Sequence, residues 1–316
     1  MNFYLIPGDN EAPITHVAIS ADSGRALFGT GAGTLFRYEL DGNPAEELAR
    51  PRPARQILGL AFAGRGREAV ALAGTGRDSG DILKVHPSGG VELLYADAPF
   101  EFGGFAMSAG GDFGLISAGG QLLKYFSEQR SYLPVETPEG LLLGGIAFGG
   151  ADGRAAVAGA CQAGGFVARY EPRPETGRLA LVDGMVLPAL TAVAWEPKGT
   201  AFLAGGRPRQ DDVPGAGALA WVADGKPPEA LPGPRATAVH GIAFHPSEPW
   251  ALLATGPAGP SETGARLYRF DARTRALDSL YEGPPGAGAF LAVAFSPDGA
   301  RALVGTEWGQ LLEVSC

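Results

Sequence analysis

The chain is poor in lysine, histidine and cysteine. Only four lysines (Lys84, Lys124, Lys198 and Lys226) stand among its 25 basic residues, and 34 acidic residues give a formal net charge of −9 over 316 residues. Holding nucleic-acid phosphates takes clustered cations, and an acidic field opposes it, so no nucleic-acid partner is expected. Two cysteines, Cys161 and Cys316, are too few for a disulfide framework and fit no metal spacing; both read as free thiols. No apolar run reaches the about 18 residues of a membrane helix, so no membrane partner is expected. The opening Met1-Asn2-Phe3-Tyr4-Leu5-Ile6-Pro7 has neither a basic stretch nor a cleavage site, which points to a cytoplasmic protein. The bias to arginine, alanine and glycine fits a GC-rich bacterial genome.

Glycine and proline, by contrast, are abundant, at 49 and 26 residues, and the glycines recur at matching places. They punctuate a triplet of large residue, alanine, large residue. Its seven copies are Val17-Ala18-Ile19, Leu60-Ala61-Phe62, Phe105-Ala106-Met107, Ile146-Ala147-Phe148, Val193-Ala194-Trp195, Ile242-Ala243-Phe244 and Val293-Ala294-Phe295. Successive alanines lie 41 to 51 residues apart, and 40 when the count passes from Ala294 through the C-terminus to Ala18. A repeat of this period running end to end makes residues 1–316 one domain of stacked units.

Within a repeat, short runs of alternating large and small residues are separated by Pro, Gly and Asp. In the last copy, Leu291 to Ser296 is followed by Pro297-Asp298-Gly299, then Ala302-Leu303-Val304, a reversal at Trp308-Gly309, and Leu311 to Val314. That is the pattern of antiparallel hairpins, and helices would be broken at each Gly and Pro. In the first strand one face is bulky and the other nearly bare. The residue two before each alanine is Gly59, Gly104, Gly145, Ala192, Gly241 or Ala292, with His16 the exception. A bare face suits the innermost strand of a radial array, where sheets converge. The expected fold is all-β: seven four-stranded antiparallel blades in a propeller. Since the last repeat stops after a third strand, Asn2 to Ile6 is expected to supply its outer strand and close the ring.

The run Val293-Ala294-Phe295-Ser296-Pro297-Asp298-Gly299, its echoes Ala194-Trp195-Glu196-Pro197 and Ala243-Phe244-His245-Pro246, and third strands of the type Gly33-Thr34-Leu35-Phe36-Arg37-Tyr38-Glu39 and Leu267-Tyr268-Arg269-Phe270-Asp271 make the chain resemble the WD-repeat family over its whole length. It departs from that family in lacking the Trp-Asp and Gly-His dipeptides, so the Asp–His–Ser/Thr–Trp arrangement of such blades is expected to be missing and packing to stabilise them instead. The resemblance implies a non-catalytic scaffold or regulatory subunit, a monomer on its own, that binds a partner protein or peptide and needs no cofactor.

Such a platform would use the face carrying the second-to-third-strand loops, expected to be short in blades 1, 3 and 7 and long elsewhere. Blade 5 offers Arg207, Arg209, Asp211 and Asp212 in one loop, and blade 2 offers Arg77. Trp308 stands at a hairpin tip where nothing structural demands an indole, as an interface anchor would. Phe100, in the connection into blade 3, is a further exposed candidate, whereas Phe102 aligns with core positions. Arg37, Lys84, Lys124 and Arg169 share a third-strand position, with Arg269 one residue out of step and Trp221 and Glu313 replacing the base. The alternative is an enzyme, or a small-molecule or metal binder, at the axis. There only His16 and His240 stand out, with no carboxylate to complete a metal site.

Overall fold

The alternation read from the sequence becomes seven four-stranded antiparallel sheets. The computed structural model describes residues 1–6, 12–40, 42, 44–50, 55–63, 68–75, 79–149, 152–173, 177–182, 189–207, 218–234, 237–257, 264–283 and 288–316. The inner strands are Ile14–Ile19, Gln56–Ala63, Phe102–Met107, Leu141–Gly149, Leu190–Trp195, Thr237–Phe244 and Phe290–Phe295. The second strands are Arg25–Thr30, Glu68–Gly74, Phe113–Ala118, Arg154–Cys161, Ala201–Gly206, Trp250–Pro257 and Arg301–Thr306. Third strands follow at Leu35–Glu39, Gly80–Val85, Gln121–Phe126, Gly164–Glu171, Ala218–Ala223, Arg266–Asp271 and Leu311–Ser315. The outer strands of blades 1 to 6 are Glu46–Ala49, Val91–Ala98, Ser131–Pro134, Arg178–Leu181, Glu229–Pro232 and Leu277–Glu282. Blade 7 takes its outer strand from the other end of the chain: Asn2–Ile6 pairs with the third strand, Asn2 opposite Ser315 and Ile6 opposite Leu311. The ring is closed as expected.

Each inner strand carries a feature that simple alternation did not foresee. Its pairing slips by one residue at the same place in six blades, between Ile14/His16, Ile57/Gly59, Phe102/Gly104, Leu190/Ala192, Val239/Gly241 and Phe290/Ala292, and between Leu143/Ile146 in blade 4. A bulge of one residue flips every side chain beyond it to the other face. The residue four before each alanine would otherwise share the bare face; the bulge moves it to the bulky one. That is why Ile14, Ile57, Phe102, Leu143, Leu190, Val239 and Phe290 are all large and all buried. In three seams this residue fills the notch of a glycine in the preceding blade: a Cβ on Gly29, Gly205 or Gly305 would lie 2.4, 2.8 or 2.7 Å from Ile57, Val239 or Ile14.

The bare face has its own steric reason. A Cβ at Gly104 would stand 2.2 Å from the Gly144 carbonyl oxygen of the next blade, and one at Gly145 2.8 Å from that of Thr191. The inner strands approach backbone to backbone, so glycine is required where the contact is tightest and nothing larger than alanine is tolerated at Ala192 and Ala292. His16 is the exception, and it turns into the seam with its Nδ1 on the Ile57 carbonyl oxygen at 3.1 Å.

The turns after the inner strands of blades 1 and 7 are tied by serine. Ser20 and Ser296 accept the backbone N–H of Arg25 and Arg301, both at 3.0 Å, and donate to Asp22 and Asp298 at 2.5 Å. Those hydrogen bonds hold both carboxyls below the usual aspartate range.

Seven third-strand residues lie in one register, each opposite the residue that pairs with an invariant alanine: Arg37, Lys84, Lys124, Arg169, Trp221, Arg269 and Glu313. Arg269 is therefore in step, contrary to the sequence alignment. These groups are spent within the fold. Arg37 pairs with Glu46 at 2.6 Å, Lys84 with Glu68 at 2.8 Å, and Arg169 with Asp224 of the next blade at 3.0 Å. Lys124 lies 4.6 Å over Phe113, and Arg269 4.9 Å over Trp250. Arg169 staples the seam between blades 4 and 5, the others tie strands within their own blades, and the band is not a free basic surface.

Candidate partner-binding face

The second-to-third-strand turns and the blade-to-blade connections share the top face. The turn of blade 4, Gln162-Ala163, is as short as those of blades 1, 3 and 7, which corrects the expectation of a long loop there. Arg77, Arg209, Asp211 and Asp212 lie outside the described residues. Arg207, Trp308 and Phe100 are placed.

Arg207 follows the second strand of blade 5 and is exposed, with its backbone N–H on the Ala189 carbonyl oxygen at 3.0 Å. Gly206 permits this, because a Cβ there would stand 2.0 Å from the same oxygen. In the neighbouring blade, His240 is the extra residue of the bulge, and its Nε2 is buried without a hydrogen-bond partner among the described residues. Burial lowers its pKa, and so does the positive charge of Arg207, while Glu307 of blade 7 works the other way. Glu307 itself is fixed: its carboxylate accepts the Ala289 N–H at 2.6 Å, and its own N–H donates to the Ala289 carbonyl at 2.8 Å. Three consecutive blades thus set a guanidinium and a carboxylate within electrostatic reach of one imidazole.

Trp308 has more structure beneath it than its position at a hairpin tip implied. Its indole is half-buried, 5.7 Å from the Phe290 ring, and its N–H donates to the Gln310 side chain. Phe290 is one of the bulge-flipped core residues, so Trp308 caps the top of the seam between blades 6 and 7 and presents only part of its ring to solvent. Phe100 is likewise half-buried rather than free, edge-on to Tyr132 at 5.4 Å.

Blade 2 holds a group that the sequence did not disclose. Arg55, in the connection from blade 1, is 7% exposed, and Asp81, in the third strand, is fully buried. They pair at 3.2 Å, and the Arg55 guanidinium also binds the carboxylate of Asp97, whose backbone N–H donates to Asp81 at 3.0 Å. Asp97 sits in the left-handed region at φ +52°. Packing was expected to hold the blades in place of the missing Asp–His–Ser/Thr–Trp arrangement; in blade 2 a buried ion cluster does part of that work. The one local clue was a charge at Asp81 inside an apolar strand, but its partners lie 26 and 16 residues away.

At the axis, His16 and His240 occupy different places, two and three residues before their alanines. A carbonyl oxygen only accepts, so the Ile57 contact puts the His16 proton on Nδ1, and burial lowers its pKa to about 4. The ring is neutral near pH 7. Among the described residues no group of three His, Cys, Asp or Glu is arranged to hold a metal.

No family model matches the sequence, and no curated protein does. Solved structures do match in shape. The WD40 repeats of RRP9 superpose with a TM-score of 0.76 at 12% identity, over 99% of this chain and 97% of that one. U3-55K gives 0.75 at 13% identity, over 100% and 98%. Identity this low speaks to the fold alone, and the fold of this chain is that of a WD-repeat-like seven-bladed propeller.

Proposed function

We propose that the protein is a non-catalytic scaffold or regulatory subunit that captures a partner protein or peptide on its top face, beside blades 5 to 7. The observation that carries this reading is the convergence there of an exposed guanidinium and a buried imidazole nitrogen that find no partner among the described residues. Arg207 is exposed and has no ion-pair partner among the described residues, and the Nε2 of His240 is buried without a hydrogen bond. The half-exposed ring of Trp308 stands on the same face. A partner carboxylate or backbone carbonyl would meet Arg207, and an apolar side chain would meet the indole. Arg209, Asp211 and Asp212 extend the same loop in sequence, with Arg77 and Phe100 as outlying contacts.

The test is affinity capture with mass spectrometry, comparing the wild type with Arg207→Glu and Trp308→Ala. A stoichiometric partner is expected with the wild type and is lost with Arg207→Glu, a surface change that leaves the fold intact. Capture that survives both substitutions removes this face from consideration. A small-molecule or metal reading at the axis rests on the same His240 nitrogen, and titration with zinc, read by calorimetry with and without His240→Ala, separates it from partner binding.

A further inference from the structure

The outer strands of seven blades form the rim of the ring, and among the described residues each has a row of backbone N–H and C=O groups that no further strand pairs, although a bridge from Glu136 covers part of the blade 4 edge at Arg178. Proteins guard such edges with charges or proline, because an open apolar edge pairs with other strands. Six rims are guarded here: Glu46 and Glu47 in blade 1, Glu92 and Asp97 in blade 2, Pro134 in blade 3, Arg178 in blade 4, Glu229 and Pro232 in blade 5, and Asp278 and Glu282 in blade 6. The seventh, Asn-Phe-Tyr-Leu-Ile at Asn2–Ile6, has neither. It is also where exposed apolar side chains gather: Met1, Tyr4 and Leu5 are 48, 55 and 50% exposed.

We propose that this edge pairs with the same edge of a second copy of the chain, antiparallel and centred on Tyr4. The self-complementarity is in the sequence. Reversing a five-residue strand on itself sets Asn2 opposite Ile6, Phe3 opposite Leu5 and Tyr4 opposite its own counterpart, so no charge enters the contact. The symmetric pairing of the longest guarded rim, Val91–Ala98, would set Glu92 against Asp97. The strand is also held in place to receive a partner. Its inner side is paired from Asn2 to Ile6, and Phe3 stacks on Tyr281 of blade 6 at 4.9 Å, while Tyr4 and Leu5, on opposite faces of the strand, stay exposed.

Five residues on each side bury less than the about 1,200–2,000 Å² of a stable interface. The dimer is therefore weak, and the monomer expected from the sequence is its dilute form. Since the edge lies on the circumference, both top faces stay open and the scaffold becomes bivalent. The inference does not depend on what the top face binds.

Sedimentation velocity over a concentration series tests it. The wild type shifts from monomer to dimer with concentration. Tyr4→Lys, which sets two cations face to face, weakens association at least tenfold, whereas Tyr4→Phe and the exposed-rim control Leu133→Lys leave it unchanged. A wild type that stays monomeric throughout, or a dimer indifferent to Tyr4→Lys, overturns the proposal. A second readout holds even if Tyr4→Lys folds poorly: in a Cys316→Ser background, Tyr4→Cys forms a covalent dimer under mild oxidation and Leu133→Cys does not. Cross-linking at residue 133 but not at residue 4 would place the contact elsewhere.

Discussion

Seven inner strands and seven outer strands come from one repeat, yet they accept very different amounts of variation. The inner strands repeat alanine, glycine, bulge and large plug nearly without exception, because each touches the backbone of the next blade. The outer strands run from four to eight residues, with unrelated sequences, and one comes from the opposite end of the chain. Tolerance rises with radius: where sheets converge a methyl group is a collision, and where they splay a whole side chain finds solvent. The contrast teaches that the repeat is written by sterics at the axis, while the rim and the top are free to specialise.

Several changes would break or sharpen that contrast. The rim loses its licence where it closes the ring, so deleting residues 1–7 is expected to have the largest effect. A fall in Tm of about 10 °C with aggregation on heating is the expected outcome, and an unchanged melting curve would deny the closure. Next comes blade 2, where Arg55→Ala removes the guanidinium that pairs with the buried carboxylate of Asp81. A loss of about 3–5 kcal/mol in urea unfolding is expected, and pairing Arg55→Met with Asp81→Leu should recover part of it.

His16 supplies the pH term. Its folded pKa of about 4 lies below the 6.5 of the unfolded chain, so the unfolded state binds more protons between those values. Its contribution is whole above pH 6.5 and is lost as the pH falls to about 4, for a total of about 3 kcal/mol. His16→Ala, which restores the ring consensus, should flatten that part of the stability–pH curve. A Cβ on the inner ring, as in Gly104→Ala, is expected to cost about 1–3 kcal/mol by overpacking. The corresponding truncation on the rim, Leu133→Ala, should cost within about 0.5 kcal/mol. Equal losses at Gly104 and Leu133 would erase the distinction drawn here.

How much of this was legible follows the same radius. The seven alanines and the bare face revealed the blade count and the inner strand, since sterics at the axis leave few residue choices, and the closure followed from counting strands in the last repeat. The bulges left a trace that alternation misread: Ile57, Phe102 and Phe290 are large at a position in phase with the small residues, which a straight strand forbids. The Arg55–Asp81–Asp97 cluster was invisible because its members meet only when the chain folds. Trp308 was seen, but its footing on Phe290 was not, since that contact joins residues 18 apart across a bulge. Of the top-face residues, Arg207 was marked by its loop, whereas His240 and Glu307 join it only through the geometry of three blades.

Closing the ring within one blade also decides how the molecule would yield under load. Asn2 stands opposite Ser315, so the two ends of the chain leave neighbouring strands at the same point. Drawn apart by those ends, the pair meets tension like a zip, one hydrogen-bonded rung at a time from Asn2 toward Ile6, and not as a sheared ladder resisting all at once. Blade 7 is then a mechanical fuse, and the other six blades keep their sheets while it opens.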